Sequence, residues 1–382
     1  MNILCDQAPG YIRTIAPYQP GKPIDELARE LGLSPSSIVK LASNENPLGV
    51  SPLAQQAIEQ ALPELARYPD GNGYVLKSAL AEKWRIDPAC IVLGNGSNDV
   101  LDMAARAFLY PGVSAVYSQY AFAVYPLAVQ TVGATGIAVP ALDFGHDLPA
   151  MLAAIRGDTR MVFIANPNNP TGTLLSNVHM LAFLQQVPPH VLVVLDEAYG
   201  EYLPVELRSD ALSWLAAFPN LIVTRTFSKA YGLAGLRVGY ALADPKVADL
   251  LNRVREPFNV NGLALVAAAA ALSDDAFIER SYAANRLGMM QLVQGLNLLG
   301  IAYIPSFANF VSIRLGNAGD MYQRLLEQGV IVRPLGGYAM TQYLRVSIGL
   351  AAENHRFLQA LEHVLEQLHL LQAAPTVVEE PL

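Results

Sequence analysis

Seven short β-rich apolar runs recur between Ile91 and Leu242, separated by segments of helical periodicity, and no other feature narrows the fold as much. The runs are 91–93, 115–117, 136–139, 161–165, 191–195, 221–224 and 238–242. Several, such as VLVVL over 191–195, are apolar at consecutive rather than alternate positions. A strand of that kind is buried on both faces, so helices must cover the sheet above and below. Strands and helices in alternation then predict an α/β domain built on a mostly parallel seven-stranded sheet. Ligands of such domains gather at the carboxyl ends of the strands, and the loops after the runs are where chemistry is expected.

From about Phe258 the texture changes. Helical patterns over 262–272, 276–299 and 351–371 interleave with strand candidates 310–315, 330–332 and 344–348, which predicts a smaller α+β domain. Before the first run, Pro17, Pro20, Pro23 and Pro35 surround one short helical pattern, which reads as an N-terminal arm. The expected organisation is an arm over 1–40 packing with the small domain, a large domain over 41–258, a small domain over 259–372 and a flexible tail over 373–382. With 52% apolar and 15% charged residues in 382, the chain can bury a large core.

A net charge of −8 and no dense basic cluster exclude a nucleic-acid scaffold or an anionic-lipid binder, since both need a positive field. Small molecules are the expected partners, with no nucleic acid and no membrane. Cys5 and Cys90 lie far apart, and the opening MNILCDQAPG has no secretory pattern, so a cytoplasmic protein is expected. The Ala-rich stretch over 262–272 falls well short of the roughly 20 residues that cross a bilayer. None of the histidines stands in a ligand spacing and neither cysteine has a nearby partner, so no metal site is expected.

Four segments carry candidate chemistry. NGSND (95–99) follows the first run and opens an amphipathic helix. Gly94 and Gly96 allow close backbone approach, Ser97 suits an N-cap, and the free N–H groups of the first turn can cradle an anion. IANPNNPTG (164–172) ends a run in a turn fixed by prolines, where Asn169 either donates to a ligand oxygen or closes Asx bonds to its own backbone. In VLVVLDEAYGEY, Asp196 ends a buried strand with no lysine or arginine within ten residues on either side. Its desolvation must be offset by a ligand cation, a distant arginine or a helix start. TRTFSKAYGLAGLRVGY (224–240) sets Thr226 and Ser228 beside Lys229, with Arg237 eight residues on, a donor set suited to a phosphate next to a reactive amine.

In this order, and with RYPDGNG (67–73), RPLGGY (333–338) and LRVSIGL (344–350), the chain resembles the fold-type I pyridoxal-phosphate-dependent aminotransferases, and within them the histidinol-phosphate aminotransferases, from about Tyr18 to His363. The resemblance implies pyridoxal 5′-phosphate as cofactor and Lys229 as the lysine that bonds its aldehyde and then moves the substrate's α-proton. Asp196 matches the carboxylate that keeps the ring nitrogen protonated. Tyr199 and Asn169 match the pair that hydrogen-bond the ring oxygen. The phosphate falls to Ser97, Asn98, Thr226, Ser228 and Arg237, joined in these homodimers by a partner-subunit tyrosine that Tyr68 matches. Phe122 matches the aromatic over the ring, with Tyr120 the alternative.

For the substrate, the resemblance implies Tyr18, Asn169, Arg333 and Arg345 around the phosphate of histidinol phosphate and the carboxylate of glutamate or 2-oxoglutarate. The implied reaction is transamination between histidinol phosphate and 2-oxoglutarate in histidine biosynthesis. The same scaffold serves aromatic amino-acid transaminases and a threonine-phosphate decarboxylase, which the motifs do not separate. A non-catalytic regulator on this scaffold would carry an added basic DNA-binding segment, which is absent before Tyr18.

Overall fold

The structure is a computed structural model and describes residues 3–368. It divides into two compact units, one of residues 3–19, 45–284 and 305–309, the other of residues 20–44, 285–304 and 310–368. The expected tail over 373–382 and the last residues of the expected helix over 351–371 lie outside the described residues.

The first unit holds the seven-stranded sheet. In spatial order its strands are Ile91–Gly94, Gly239–Ala243, Leu221–Thr226, Leu192–Asp196, Thr159–Ala165, Ser114–Ser118 and Thr135–Val139. Gly239–Ala243 runs against both neighbours and the other pairs are parallel. All seven apolar runs become these strands; six are largely buried, as two-sided burial requires, whereas Thr135–Val139 at the edge of the sheet is mostly exposed.

Because successive residues of a strand point to opposite faces, the sheet sorts its side chains into two cores. Val194, Ile222 and Phe163 join Tyr125, Leu101 and Ala104 on one face. Val193, Leu195 and Val223 join Leu76, Leu80 and Trp214 on the other. Extending the same alternation past the apolar positions puts Asp196, Thr224 and Thr226 on the Tyr125 face. Arg225 goes to the opposite face, where its guanidinium lies 4.3 Å from the centroid of the Trp84 ring. There it meets Glu197 at 2.8 Å, with both side chains largely buried. Ser209 donates to the same carboxylate, and Trp84 Nε1 donates to Tyr240 Oη at 2.9 Å.

Two expected boundaries differ from the structure. Helix Gly262–Ala271, whose texture predicts the small domain, packs on Pro52–Ala61 and Tyr74–Trp84. Its Ala264, Leu265, Ala267 and Ala268 lie in the same core as Leu93 and Val223. The change of pattern marks the end of the sheet, whereas the core continues, because alanines let helices approach closely. The N-terminal segment is also divided rather than a single arm on the small domain. Gln130 Nε2 donates to Tyr11 O at 3.2 Å, within the first unit. Residues 20–44 contribute Leu27, Ala28, Ile38 and Ala42 to a cluster with Leu326 and Ile331. Its prolines do not prevent this: Pro23 precedes helix Ile24–Leu31 and Pro35 opens a short 3-10 turn, positions that require no N–H donor.

The second unit carries an antiparallel sheet ordered Arg333–Pro334, Tyr343–Ser347, Phe310–Arg314, Tyr303–Ile304. Val39–Lys40 pairs in parallel with Val330–Ile331, and helix Ala351–Gln367 buries Phe357, Leu361 and Val364 against this unit's core.

Removing one partner from a buried ion pair leaves an uncompensated charge. Glu197→Ala should therefore lower unfolding stability by about 3–5 kcal/mol, whereas the double change Glu197→Leu with Arg225→Met should restore most of it. Urea unfolding midpoints of the three proteins check this; equal losses in single and double variants would refute it.

Candidate active site

The anion cradle is built from glycines outward. Gly94 and Thr226 are the two Cα partners of Gly239, so three strand ends meet at one level. A Cβ on Gly239 would run into the backbone N of Ser97, so only glycine lets the helix start come this near. Helix Ser97–Phe108 then begins at Ser97 with Gly96, at φ 83°, as its N-cap. This corrects the expectation that Ser97 is the cap: a glycine conformation replaces a capping side chain, and no side chain closes the helix start. Asp99 N donates to Gly96 O at 3.2 Å, and the N–H groups of Ser97 and Asn98 ahead of it are the ones placed to meet a ligand.

Arg237 lies over that helix start, its Nη2 2.5 Å from where a Cβ on Gly96 would be. Its Nη1 donates to Ser228 Oγ at 3.2 Å, and Ser228 N donates to Thr226 Oγ1 at 3.1 Å. Ser97, Thr226 and Ser228 are buried and Asn98 is half-buried. The nearby Asp99 carboxylate is engaged elsewhere. It accepts from Asn95 N at 2.8 Å and from Asn259 Nδ2 at 2.7 Å, which holds the loop.

Asp196 is buried at the end of its strand, opposite Ala165 on one side and Thr224 on the other. Its Oδ2 accepts from Tyr125 Oη at 2.8 Å. Its Oδ1 is buried and has no hydrogen-bond partner among the described residues. Burial pushes the carboxyl up from the ordinary range, and the Tyr125 hydroxyl is foremost among the groups pulling it back. The distant arginine considered for Asp196 goes to Glu197 instead.

Around it stand the other expected groups. Tyr199 is buried and half-buried Lys229 holds its Nζ 6.0 Å from the Tyr199 ring centroid. The Asn turn divides its labour: Asn166 bonds Leu175 through both its amide groups, and Asn168 donates to Tyr120 O and Thr171 Oγ1. Those two close the turn on itself, and Asn169 is buried beside them. Phe122 meets Tyr125 edge-on at 5.8 Å, whereas Tyr120 stacks on Phe144 at 6.0 Å. Phe122 is thus one ring away from the Asp196 carboxylate.

The other expected residues are Tyr68, Tyr18, Arg333 and Arg345. Tyr68 is 83% exposed and stacks on Phe258 at 4.8 Å. Tyr18 is exposed in the first unit. Arg333 and Arg345 belong to the second unit, where they are direct cross-strand partners. Arg345 is buried, donates from Nη2 to Ala42 O at 2.8 Å and lies 5.2 Å from the Phe310 ring centroid.

Residues 36–361 match the family model of aminotransferase class I and II. The chain belongs to the class I and II aminotransferases.

Among relatives of this aminotransferase is the histidinol-phosphate aminotransferase of Methylobacillus flagellatus, 63% identical over 96% of this chain and 99% of that protein. The histidinol-phosphate aminotransferase 2 of Nitrosospira multiformis is 60% identical over 96% of this chain and 93% of its own. The crystal structure of histidinol-phosphate aminotransferase from Sinorhizobium meliloti in complex with pyridoxal-5′-phosphate superposes with a TM-score of 0.88 at 31% identity, covering 95% of this chain and 98% of that one.

The first unit of this aminotransferase fits pyridoxal 5′-phosphate. A dianion needs several donors, and the helix start, Arg237, Ser228 and Thr226 supply them. A protonated ring nitrogen needs a buried acceptor, and Asp196 Oδ1 is one in want of a donor. Reasoning from the sequence misses Tyr125. Its signal is present in YAFAVYPLAV, where a tyrosine three residues after Phe122 recurs at helical spacing.

Gly96→Ala would strain a left-handed backbone and push Arg237 aside. The variant should keep its far-ultraviolet circular dichroism yet bind pyridoxal 5′-phosphate about tenfold more weakly, the loss of one charge-assisted bond. Wild-type affinity in equilibrium dialysis would show that Arg237 does not hold the phosphate.

Proposed function

We propose that the chain is a pyridoxal-phosphate-dependent histidinol-phosphate aminotransferase. It transfers the amino group of L-histidinol phosphate to 2-oxoglutarate, giving imidazole acetol phosphate and L-glutamate in histidine biosynthesis. The observation that carries the reaction type is the buried Asp196 oxygen left open at a strand end in the unit that also holds Lys229 and the anion cradle. The substrate follows from near-full-length likeness to proteins of that name and from two arginines paired across one sheet.

When bound, pyridoxal 5′-phosphate supplies an electron-withdrawing ring that stabilises negative charge developing at the substrate's α-carbon. Asp196 holds the proton at the ring nitrogen. Lys229 Nζ carries the α-proton, aided by a half-buried position beside Tyr199. Asn169 and Tyr199 donate to the ring oxygen, and Phe122 covers one face of the ring. Ser97, Asn98, Thr226, Ser228 and Arg237 hold the phosphate. Arg333 and Arg345 receive the substrate's anionic groups, with Tyr18 a donor to the phosphate of histidinol phosphate.

The active form is a homodimer in which Tyr68 completes the partner's phosphate site. In support, Tyr68 stands exposed on the rim of an apolar surface cleft of about 690 Å³ lined by Leu65, Val75, Phe258 and Leu265. Among the described residues no helix is long and apolar enough to cross a membrane. A cytoplasmic location suits a biosynthetic enzyme whose substrates are small phosphates and acids.

Lys229→Ala should abolish both turnover and the visible absorbance of the loaded protein, and histidinol phosphate should exceed histidinol in kcat/KM by about 10² or more, since unpaired buried donors are costly. Faster transamination of phenylalanine, or faster release of carbon dioxide from threonine phosphate, would overturn the substrate assignment while leaving the cofactor in place.

Tyr68→Ala and Lys229→Ala chains, each inactive alone, should regain part of the activity when co-assembled, because one of the two shared sites is then whole. Heterodimers that form yet stay inactive would show that each site is built within one chain.

A further inference from the structure

Tyr125 is the second residue of helix Val124–Thr131 and is fully buried. Its ring stacks on Phe163 with centroids 4.9 Å apart and planes 12° from parallel. Phe163 stands on the strand beside Asp196 and pairs with Val194. The ring's other neighbour is Phe122, edge-on at 5.8 Å. With both sides of the ring fixed, the hydroxyl has one direction, and it ends on Asp196 Oδ2 at 2.8 Å. The other carboxylate oxygen has no hydrogen-bond partner among the described residues.

We propose that Tyr125 is a positioning residue for the Asp196 carboxylate: it fixes one oxygen and leaves the other turned to the ring nitrogen of pyridoxal 5′-phosphate. The inference rests on the cofactor reading above. A carboxylate at a strand end can rotate about its side-chain bonds, and a hydrogen bond from an immobile ring restricts that freedom before the cofactor arrives. Donation from a neutral phenol also stabilises the charged carboxylate without adding a cation that would compete with the ring nitrogen for it. Without that donation Asp196 becomes a stronger base, and the shared proton moves from the ring nitrogen toward the carboxylate. Glu197, the nearest further acid in the chain, is committed to Arg225 on the opposite face of the sheet. The Phe163, Tyr125 and Phe122 rings form one rigid series, so the same residue also ties the aromatic that covers the cofactor to the carboxylate that holds it.

The test loads wild-type, Tyr125→Phe and Asp196→Asn proteins with pyridoxal 5′-phosphate labelled with ¹⁵N in the ring. The nitrogen resonance is read at one pH, and the cofactor dissociation constant by dialysis. Tyr125→Phe keeps the ring packing and should move the resonance part of the way toward the unprotonated position reached by Asp196→Asn, with cofactor binding about tenfold weaker. Incorporating 3-fluorotyrosine at 125, a stronger donor of nearly the same shape, should move the resonance in the opposite direction, and it decides the matter even if the phenylalanine variant folds poorly. A wild-type resonance in the phenylalanine and fluorotyrosine proteins, with Asp196→Asn clearly shifted, would reduce Tyr125 to a packing residue while Asp196 keeps its role. No shift in any variant would overturn the proposal together with the assignment of Asp196 to the ring nitrogen.

Discussion

The ion pair between Arg225 and Glu197 joins the carboxyl ends of the two central strands, and the placement of the cofactor groups on those strands follows from it. Burying two charges is expensive, so the pair persists only because its geometry is complete: a stacked indole under the cation and a serine hydroxyl on the anion. Its consequence for chemistry is on the other side of the sheet. Strand alternation sends Arg225 away from Thr224, Thr226 and Asp196. Arg225 is thereby engaged by Glu197, and Asp196 is left with neutral donors, the Tyr125 phenol foremost, and one oxygen without a hydrogen-bond partner among the described residues. Had the register slipped by one residue, Arg225 would face Asp196 and neutralise it.

The anion cradle shows the same economy of charge. Its positive potential comes from a helix start exposed by Gly96 and from Arg237 lying over it, so backbone and side chain act on one point. The acidic residue of that first turn, Asp99, would oppose a bound dianion. It is committed instead to Asn95 N and Asn259, which hold the loop and partly neutralise its charge.

How far this can be seen in the sequence depends on the range of the interaction. Six of the seven strands are legible because two-sided burial writes itself as consecutive apolar residues, as in VLVVL, and the mostly exposed edge strand Thr135–Val139 is legible only from its apolar run. Lys229, Asp196, Asn169 and Arg237 can be singled out as candidates because each follows or flanks such a run within a few residues. The role of Tyr125 is not, since its partner lies 71 residues away and nothing local distinguishes it from the aromatic core around it. The pattern of helix Gly262–Ala271 points to the wrong unit for the same reason: an alanine-rich stretch states that a helix is buried but not against what. Ser97 reads as a cap from its residue type, whereas the backbone of Gly96 decides the helix start.

In the second unit the informative feature is an unfavourable one. Arg333 and Arg345 are direct partners across an antiparallel pair, where like charges placed opposite one another are destabilising. Arg345 is in addition buried, with one amino group on a backbone carbonyl and its guanidinium over Phe310. A strand selected for stability alone would carry neither residue there, because threonine or valine pairs pack that surface better. In the function proposed above, a substrate anion received by the two arginines offsets that unfavourable pairing, and a dianion offsets more of it than a single carboxylate does.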